Sequence, residues 1–413
     1  MYYLLRFWLG NAVRLWYKKV YFSYEAPLPE NAAIIFACTH PNSVIDYCFI
    51  PLVTRKKTYV LVRADVFSKS WIAKVLRSIW MIPVYRMRDG YSNLNLNEDS
   101  FRECHKLFDR KGRVLIFSEG ISVQEKMLQP LKKGTARLAL DYINHGSEKE
   151  VYIVPVANNY SKFRKFRATV MTNFGTPIKA SGYRKLYEEN PNLAYVKLNQ
   201  DISNSLARNF IQVEKFADDC FVEKVLDVLR LDRLDDRKDW LIEDSTIFRE
   251  EKSLVDRVNQ IGESGFDSGF RKKLNELQIS DKQEGMLKMN KHPLIQLGVL
   301  IFMSAFVGLA NIFHFIPKRL TDWLIRTKIK DQLFENTVVV IGGGAIYMIQ
   351  MLLIYTLLTS LFGWSGFVFA SSILALSFIY IAVIDEYRFA KYNWKRLKSI
   401  EEVRQLYEGL KGV

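Results

Sequence analysis

Ala33-Ile34-Ile35-Phe36-Ala37-Cys38-Thr39-His40-Pro41-Asn42-Ser43-Val44-Ile45-Asp46 runs from unbroken apolar sequence into a histidine and an aspartate. Six apolar residues in a row, Ala33 to Cys38, predict a strand buried on both faces, because a half-buried strand would alternate. A His and an Asp at the mouth of that strand, about a turn and a half of helix apart, can sit side by side. Such a pair is a base held by an orienting carboxylate, the machinery that activates a hydroxyl. Alone, the pair is better explained by a structural histidine, so the rest of the chain has to decide.

Outward from this strand, short apolar runs alternate with helix-like segments from Pro27 to about Pro177. Further strands are predicted at Thr58–Val62, Met81–Tyr85, Val114–Phe117, Val151–Val156 and Thr169–Phe174. Helices are predicted near Ser43–Val53, Ser68–Ser78, Leu96–Arg110 and Gly134–Asn144. This alternation predicts an α/β domain with a largely parallel sheet flanked by helices. Sites in such sheets collect at the C-terminal ends of strands, where both His40 and Glu119 fall.

Three more stretches fit the same chemistry. Ile82-Pro83-Val84-Tyr85-Arg86 places a guanidinium, a planar fork suited to phosphate, at a strand exit. Phe117-Ser118-Glu119-Gly120-Ile121-Ser122 puts a glycine after a strand, where backbone can approach a ligand closely. Lys132 and Lys133 follow, before a helix whose N-terminus favours an anion. Val154-Pro155-Val156 carries no chemistry and shapes a wall.

In this order, the four stretches resemble those of the glycerolipid acyltransferase superfamily, which joins acyl groups to glycerol phosphates. The resemblance covers about residues 25–180, and the apolar C-terminal third looks like that of the glycerol-3-phosphate/dihydroxyacetone-phosphate acyltransferase branch. Five residues separate His40 from Asp46, where the common pattern has four; the longer spacing with His-Pro-Asn resembles the glycerol-3-phosphate branch. Ser118 stands where the family's third motif has proline.

The resemblance implies that Asp46 orients His40 and that His40 takes the proton of an acceptor hydroxyl, which attacks an acyl thioester directly. Backbone N–H groups near Gly120 would hold the oxyanion. Arg86, with Lys133, would hold the acceptor phosphate, and Glu119 would organise that site. The co-substrate would be acyl-CoA or acyl carrier protein, with no metal and no bound cofactor. The acceptor would be the sn-1 hydroxyl of glycerol-3-phosphate or dihydroxyacetone phosphate. Lysophosphatidate or another lipid headgroup is the alternative acceptor, and a catalytically silent membrane lipid-binding protein is the rival from a different class.

The totals agree with an anionic, membrane-borne substrate. Of 413 residues, 59 are Lys or Arg against 44 acids, a formal charge of +15, and aromatics reach 14%. That excess favours phosphorylated metabolites or an anionic membrane surface. The basic residues are dispersed and flank apolar runs, which disfavours nucleic acid. Four cysteines without CxxC spacing are expected as reduced thiols, not a zinc site.

Residues 1–25 predict an interfacial amphipathic helix over positions 2–22, with an ordinary packed helix as the alternative. Arg14 and the lack of a small-residue cleavage site argue against a removable signal peptide. Residues 26–180 are expected as the catalytic domain and 181–292 as a charged helical extension. The last third holds three apolar runs, Leu294–Ile316, Thr337–Leu361 and Phe367–Ile384. About 20 apolar residues span a bilayer, so 293–384 is expected to be membrane-embedded. The latter two runs form a hairpin around Phe362-Gly363-Trp364-Ser365-Gly366, and the first spans or re-enters. Residues 385–413 are a basic tail, and the Lys/Arg flanks predict a cytosol-facing catalytic domain.

Overall fold

The computed structural model of the protein describes residues 2–85, 96–146, 149–214, 219–233, 235, 237–277, 279, 284–287, 293–329, 332–393 and 400–411. The decisive run, Ala33–Cys38, is strand β2, and all six residues are buried. It lies inside a nine-stranded sheet, between β5 (Arg113–Phe117) and β6 (Val151–Tyr160), parallel to both. Burial on both faces explains the lack of alternation, and each large apolar side chain there contributes about 1.5–3 kcal/mol. Beyond β5 come β3 (Tyr59–Arg63) and then β4 (Met81–Val84), also parallel.

On the other side the sheet turns. Strand β7 (Thr169–Phe174) pairs antiparallel with β6, and β1 (Lys19–Tyr24) and β9 (Leu241–Glu243) continue parallel to β7. The short β8 (Ile178–Lys179) pairs antiparallel with β6. The sheet is thus largely parallel, as expected, with antiparallel pairing of β6 to β7 and to the short β8. Helices α1 (Tyr2–Trp16), α2 (Ile45–Thr54), α3 (Ser70–Ser78), α4 (Leu96–Phe108), α5 (Gly134–Asn144), α6 (Arg184–Glu189) and α7 (Pro191–Asn209) flank it. The Asn190-Pro191 break is the start of α7: the Asn190 side chain accepts the Leu193 N–H at 3.1 Å and proline occupies the first helical position.

Two elements differ from expectation. The helix expected over residues 2–22 ends at Trp16, and Lys19–Tyr24 is a strand between β7 and β9. The recurring basic residues continue a helical rhythm into Val-Tyr-Phe-Ser-Tyr, whose β-branched and aromatic side chains suit a pleated surface. Leu9 and Val13 of α1 pack with Cys48, Phe49 and Leu52 of α2, while Phe7 faces outward. The stretch 181–292, expected as a charged helical extension, contributes β9, three residues long and so too short to alternate visibly. Its described helices include α8 (Asp219–Leu229), α9 (Thr246–Ile261) and α10 (Ser268–Leu277). In this layer Arg230, buried, makes paired bonds of 2.9 Å to buried Glu251. The guanidinium fork and carboxylate match, and Asp227 at 3.0 Å satisfies a further donor.

The last third folds as α11 (Pro293–Lys328), α12 (Glu335–Thr337), a π-helical turn Val338–Gly343, α13 (Gly344–Phe362), α14 (Trp364–Asn393) and α15 (Ile400–Lys411). Among the described residues, three helical stretches are long and apolar enough to cross a membrane. Gly363, at φ +58°, makes the tight turn of the α13–α14 hairpin. Tyr347 meets Ser377 near one end of the hairpin and Tyr355 meets Ser371 further along. Helix α11 does not stop at Pro317 but runs through it, and the Phe313 carbonyl, which proline leaves without its amide partner, accepts Gln350 Nε2 at 2.7 Å. Proline inside an apolar helix is tolerated where such bonds and neighbouring helices satisfy the freed groups.

Candidate active site

Register brings the motif residues together. Cys38 of β2 pairs with Phe117 of β5, so the residues two beyond each, His40 and Glu119, leave the sheet side by side. The His40 backbone N–H donates to Glu119 Oε1 at 3.3 Å. The His40 ring stacks on Phe117, with centroids 3.7 Å apart and planes at 16°. Between β2 and α2 the chain turns sharply at Ser43, a non-glycine residue at φ +55°. Such backbone is costly and persists where surroundings over-determine it. Here Ser43 N–H donates to Ser122 Oγ at 3.2 Å, tying the first motif to the third.

The turn delivers Asp46 to the first turn of α2, where the helix dipole favours an anion. His40 Nδ1 lies 3.2 Å from Asp46 Oδ2. The same oxygen accepts the Asn42 N–H at 2.7 Å, and Oδ1 accepts the Tyr160 hydroxyl at 2.5 Å. Asp46 is fully buried, while the His40 side chain keeps 18% exposure. With Nδ1 turned to Asp46, Nε2 is the ring nitrogen left for a substrate proton. Burial pushes the Asp46 carboxyl above the usual range, and hydrogen bonds from His40, Tyr160 and Asn42 pull it back.

Glu119 is buried as well, and burial pushes its carboxyl up to about 8, with Asp46 adding to the rise and the His40 N–H opposing it. Burial thus favours its protonated form, which can donate as well as accept. Gly120 sits at φ +69°, a conformation that favours glycine. Its own N–H is spent on the Phe117 carbonyl at 3.0 Å, so this amide is not a ready oxyanion donor. Lys132 lies against it: a Cβ at Gly120 would come within 3.1 Å of Lys132 Cγ. Lys133 is exposed at the start of α5 and is not brought to Gly120 in this way. Ser118, buried, bonds Thr135 Oγ1 at 2.9 Å, holding the loop to α5.

Arg86 lies outside the described residues. Its neighbour Tyr85 is pinned by Asn97, which accepts the Tyr85 N–H at 2.8 Å and donates to its carbonyl at 2.7 Å. Pro155 stands inside β6, where its carbonyl accepts the Gly175 N–H at 2.8 Å.

Several supporting residues were not singled out from the sequence. Tyr160 and Asn158 lie on β6, which runs four residues beyond the predicted end at Val156. The cue was there: Asn158, Asn159 and Tyr160 continue a strand with polar groups that must find partners once buried. Asn158 donates to the Asp46 carbonyl at 3.3 Å and accepts from Thr172 at 2.9 Å. Asn42 is a hub. Its Oδ1 accepts from Gln124 at 3.2 Å and from Asn336 at 3.0 Å, and its Nδ2 donates to the Phe163 carbonyl at 3.0 Å. Asn336 comes from α12, almost 300 residues away along the chain, and is buried. No local pattern announces such a contact. Asn336→Ala should lower turnover about tenfold, the worth of one buried hydrogen bond, with the acyl-donor KM unchanged. A fall in donor affinity with turnover intact would show that Asn336 does not act through Asn42. Among the described residues no cluster of His, Cys, Asp and Glu could hold a metal ion.

Residues 19–159 match the family model described as Acyltransferase. A stretch of 111 residues is 33% identical to glycerol-3-phosphate O-acyltransferase 2 of Saccharomyces cerevisiae, covering 27% of this chain and 15% of that protein. A stretch of 78 residues is 36% identical to the glycerol-3-phosphate O-acyltransferase 1 of the same yeast, covering 18% and 10%. The chain thus matches under a sixth of the length of these relatives. The crystal structure of the 1-acyl-sn-glycerophosphate acyltransferase of Thermotoga maritima is similar at 15% identity and TM-score 0.31, covering 48% of this chain and 78% of that one.

Proposed function

We propose that this chain, which belongs to the glycerolipid acyltransferase superfamily, moves a fatty acyl group from acyl-CoA or acyl carrier protein to the sn-1 hydroxyl of glycerol-3-phosphate or dihydroxyacetone phosphate. One observation carries the reading: His40, Asp46 and Glu119, from two motifs 79 residues apart, meet within hydrogen-bonding range at the ends of adjacent strands. His40 Nε2 takes the acceptor hydroxyl proton as the oxygen attacks the thioester carbonyl. Asp46 stabilises the imidazolium that forms. The new C–O bond forms, the C–S bond breaks, and the proton passes from His40 to the departing thiolate. Donors near the Glu119–Gly120 turn are the candidates for the oxyanion, with Gly120's own amide excepted. Arg86 and the Lys132–Lys133 pair are the candidates for the acceptor phosphate. The similarity to two yeast glycerol-3-phosphate acyltransferases favours that acceptor over lysophosphatidate.

Purified protein given acyl-CoA and, in parallel, glycerol-3-phosphate, dihydroxyacetone phosphate and lysophosphatidate tests the reading. Product from one of the first two supports it, and product from lysophosphatidate alone replaces it. In the same assay Arg86→Lys keeps the charge and loses the fork. It should raise the acceptor KM by about tenfold and leave the donor KM alone; equal rises would point to a structural role.

The membrane region supports a hairpin, α13–α14, that crosses and returns, with α11 dipping in without crossing. Leu287 N–H bonds the Leu231 carbonyl at 3.0 Å, Asn336 bonds Asn42, and Phe389 and Val403 share one core cluster with Phe270. Contacts with the catalytic part by the segments before α11, between α11 and α13 and after α14 support this reading. Six links from Leu287 to Pro293 reach about 20 Å, short of the roughly 30 Å hydrocarbon core. The basic flanks favour the cytosol for the catalytic side. In a Cys220→Ser background, an impermeant thiol reagent applied to intact cells should label Ser365→Cys, and Thr327→Cys only after the membrane is opened. Labelling of Thr327→Cys from outside would leave three crossings.

A further inference from the structure

Both feet of the α13–α14 hairpin stand on one edge of the sheet. At its start, Asn336 donates to Asn42 Oδ1 at 3.0 Å, two residues beyond His40. At its end, Arg388 Nη1 donates to the Phe166 carbonyl at 3.0 Å, and Asp385 accepts a fork from Arg167 at 2.9 and 2.6 Å. Phe166 and Arg167 lie in the turn from β6 to β7, and β6 runs parallel to β2. The edge that carries His40 and Glu119 is therefore also the edge from which these apolar helices leave.

Further along this edge, apolar side chains are left open. Register sets Tyr59 of β3 level with Ile35 of β2, through Val114 of β5, so β3 ends level with Thr39. It lies two strands from β2, about 10 Å away. From its end a short 3-10 turn, Ala64–Phe67, leads into α3. Leu76 and Ile79 pack α3 onto the core it shares with Tyr47, Ile50 and Val53 of α2. Its outer face has no cover. Trp71 is 66% exposed and Val75, one turn on, is 51% exposed, and Val66 in the preceding turn is exposed as well. Among the described residues from Lys19 to Met286, Trp71 is the one exposed tryptophan or phenylalanine. Scattered apolar residues are ordinary on a protein surface, but a grouped patch with a basic rim marks a contact. The rim here is Lys69 and Lys74, both exposed and paired with no carboxylate among the described residues. No acid occurs between Asp65 and Asp89. Tryptophan beside lysine suits the headgroup layer of an anionic bilayer.

We propose that the start of α3 is a membrane-docking surface: Val66, Trp71 and Val75 rest in the interface of an anionic bilayer, with Lys69 and Lys74 on its headgroups. The catalytic edge is then held to the lipid at a point away from the hairpin, with His40 between the two supports. The inference rests on the reading of α13–α14 as a hairpin that crosses the membrane, and it does not depend on which acceptor the catalytic centre uses.

The test uses the full-length protein in a Cys220→Ser background, where the remaining cysteines are buried. It is reconstituted in vesicles of phosphatidylcholine, with or without phosphatidylglycerol. An environment-sensitive fluorophore is placed at Val75→Cys, at Leu357→Cys in α13, or at Glu30→Cys, which precedes β2 at the opposite edge of the sheet. Quenching by spin-labelled lipid is then read. Leu357→Cys should be quenched in both vesicles and Glu30→Cys in neither. Val75→Cys should be quenched, and more strongly with phosphatidylglycerol. Trp71→Glu leaves the packed face of α3 intact and should abolish the quenching at Val75→Cys. Lys69→Gln with Lys74→Gln should remove the gain from phosphatidylglycerol. An unquenched Val75→Cys beside a quenched Leu357→Cys overturns the proposal and leaves the hairpin standing. The reverse result removes the hairpin and supports the docking surface. Quenching at Val75→Cys that survives Trp71→Glu also overturns the proposal. So does a probe signal that changes only when acyl carrier protein is added, which would assign the patch to a protein donor.

Discussion

Replacing His40 with alanine is expected to cut acyl transfer by about a hundredfold or more, the usual contribution of a positioned general base. The geometry makes the loss specific. Nδ1 is 3.2 Å from Asp46, the ring rests on Phe117, and the side chain remains partly open. Asp46 is fully buried and so is not presented to a substrate, and burial pushes the Glu119 carboxyl upward, toward its protonated form. Removing the ring also removes little of the core, because His40 lies at the rim and its backbone bond to Glu119 stays. The variant should therefore keep its fold and its affinity for the acyl donor. Wild-type turnover in a folded His40→Ala sample would rule out the base. A loss of donor binding in step with the rate would instead make His40 part of the binding surface.

What the sequence disclosed and what it hid follow from the range of the interactions. The apolar run Ala33–Cys38 was legible because a strand buried on both faces has no choice but to be apolar throughout. His40, Asp46 and Glu119 were legible because each follows a readable strand end, and the end of a strand is where a side chain can face a substrate. Strand β1 was not, since Lys19–Tyr24 reads as a continuation of helical spacing and only its pairing with β7 and β9 makes it a strand. The supports of Asp46 were hidden for a similar reason. Tyr160 reaches it across 114 positions and Asn336 reaches Asn42 across 294. A residue chosen by partners that far along the chain leaves no periodic trace. Pro317 misleads in the other direction: it is a helix stop in water, yet α11 continues because its neighbours compensate.

Asp46→Asn is expected to separate function from stability. Its carboxylate takes hydrogen bonds from Asn42 N–H, Tyr160 and His40. An asparagine can keep most of them: its carbonyl oxygen can face His40 and Asn42, and its amide can donate to the Tyr160 hydroxyl, which also accepts. The charge that stabilises the imidazolium is lost, so turnover should fall by a hundredfold or more, in the manner of triad carboxylates. Stability should move the other way. Burial raises the Asp46 carboxyl in the folded state above its unfolded value. A group shifted upward contributes stability below its unfolded pKa and loses it as pH climbs through the folded one, so its ionised form is a net cost near neutrality. The neutral amide carries no such cost. Asp46→Asn should therefore unfold at the same or a higher temperature than the wild type at pH 7. The wild type should gain on the variant as pH is lowered toward the ordinary carboxylate range. Thermal unfolding from pH 4 to 8, beside turnover at pH 7, checks both halves. A variant that loses stability at neutral pH in proportion to its rate would mean that Asp46 holds the loop together and does not serve the proton transfer. Full turnover in Asp46→Asn would remove it from the mechanism.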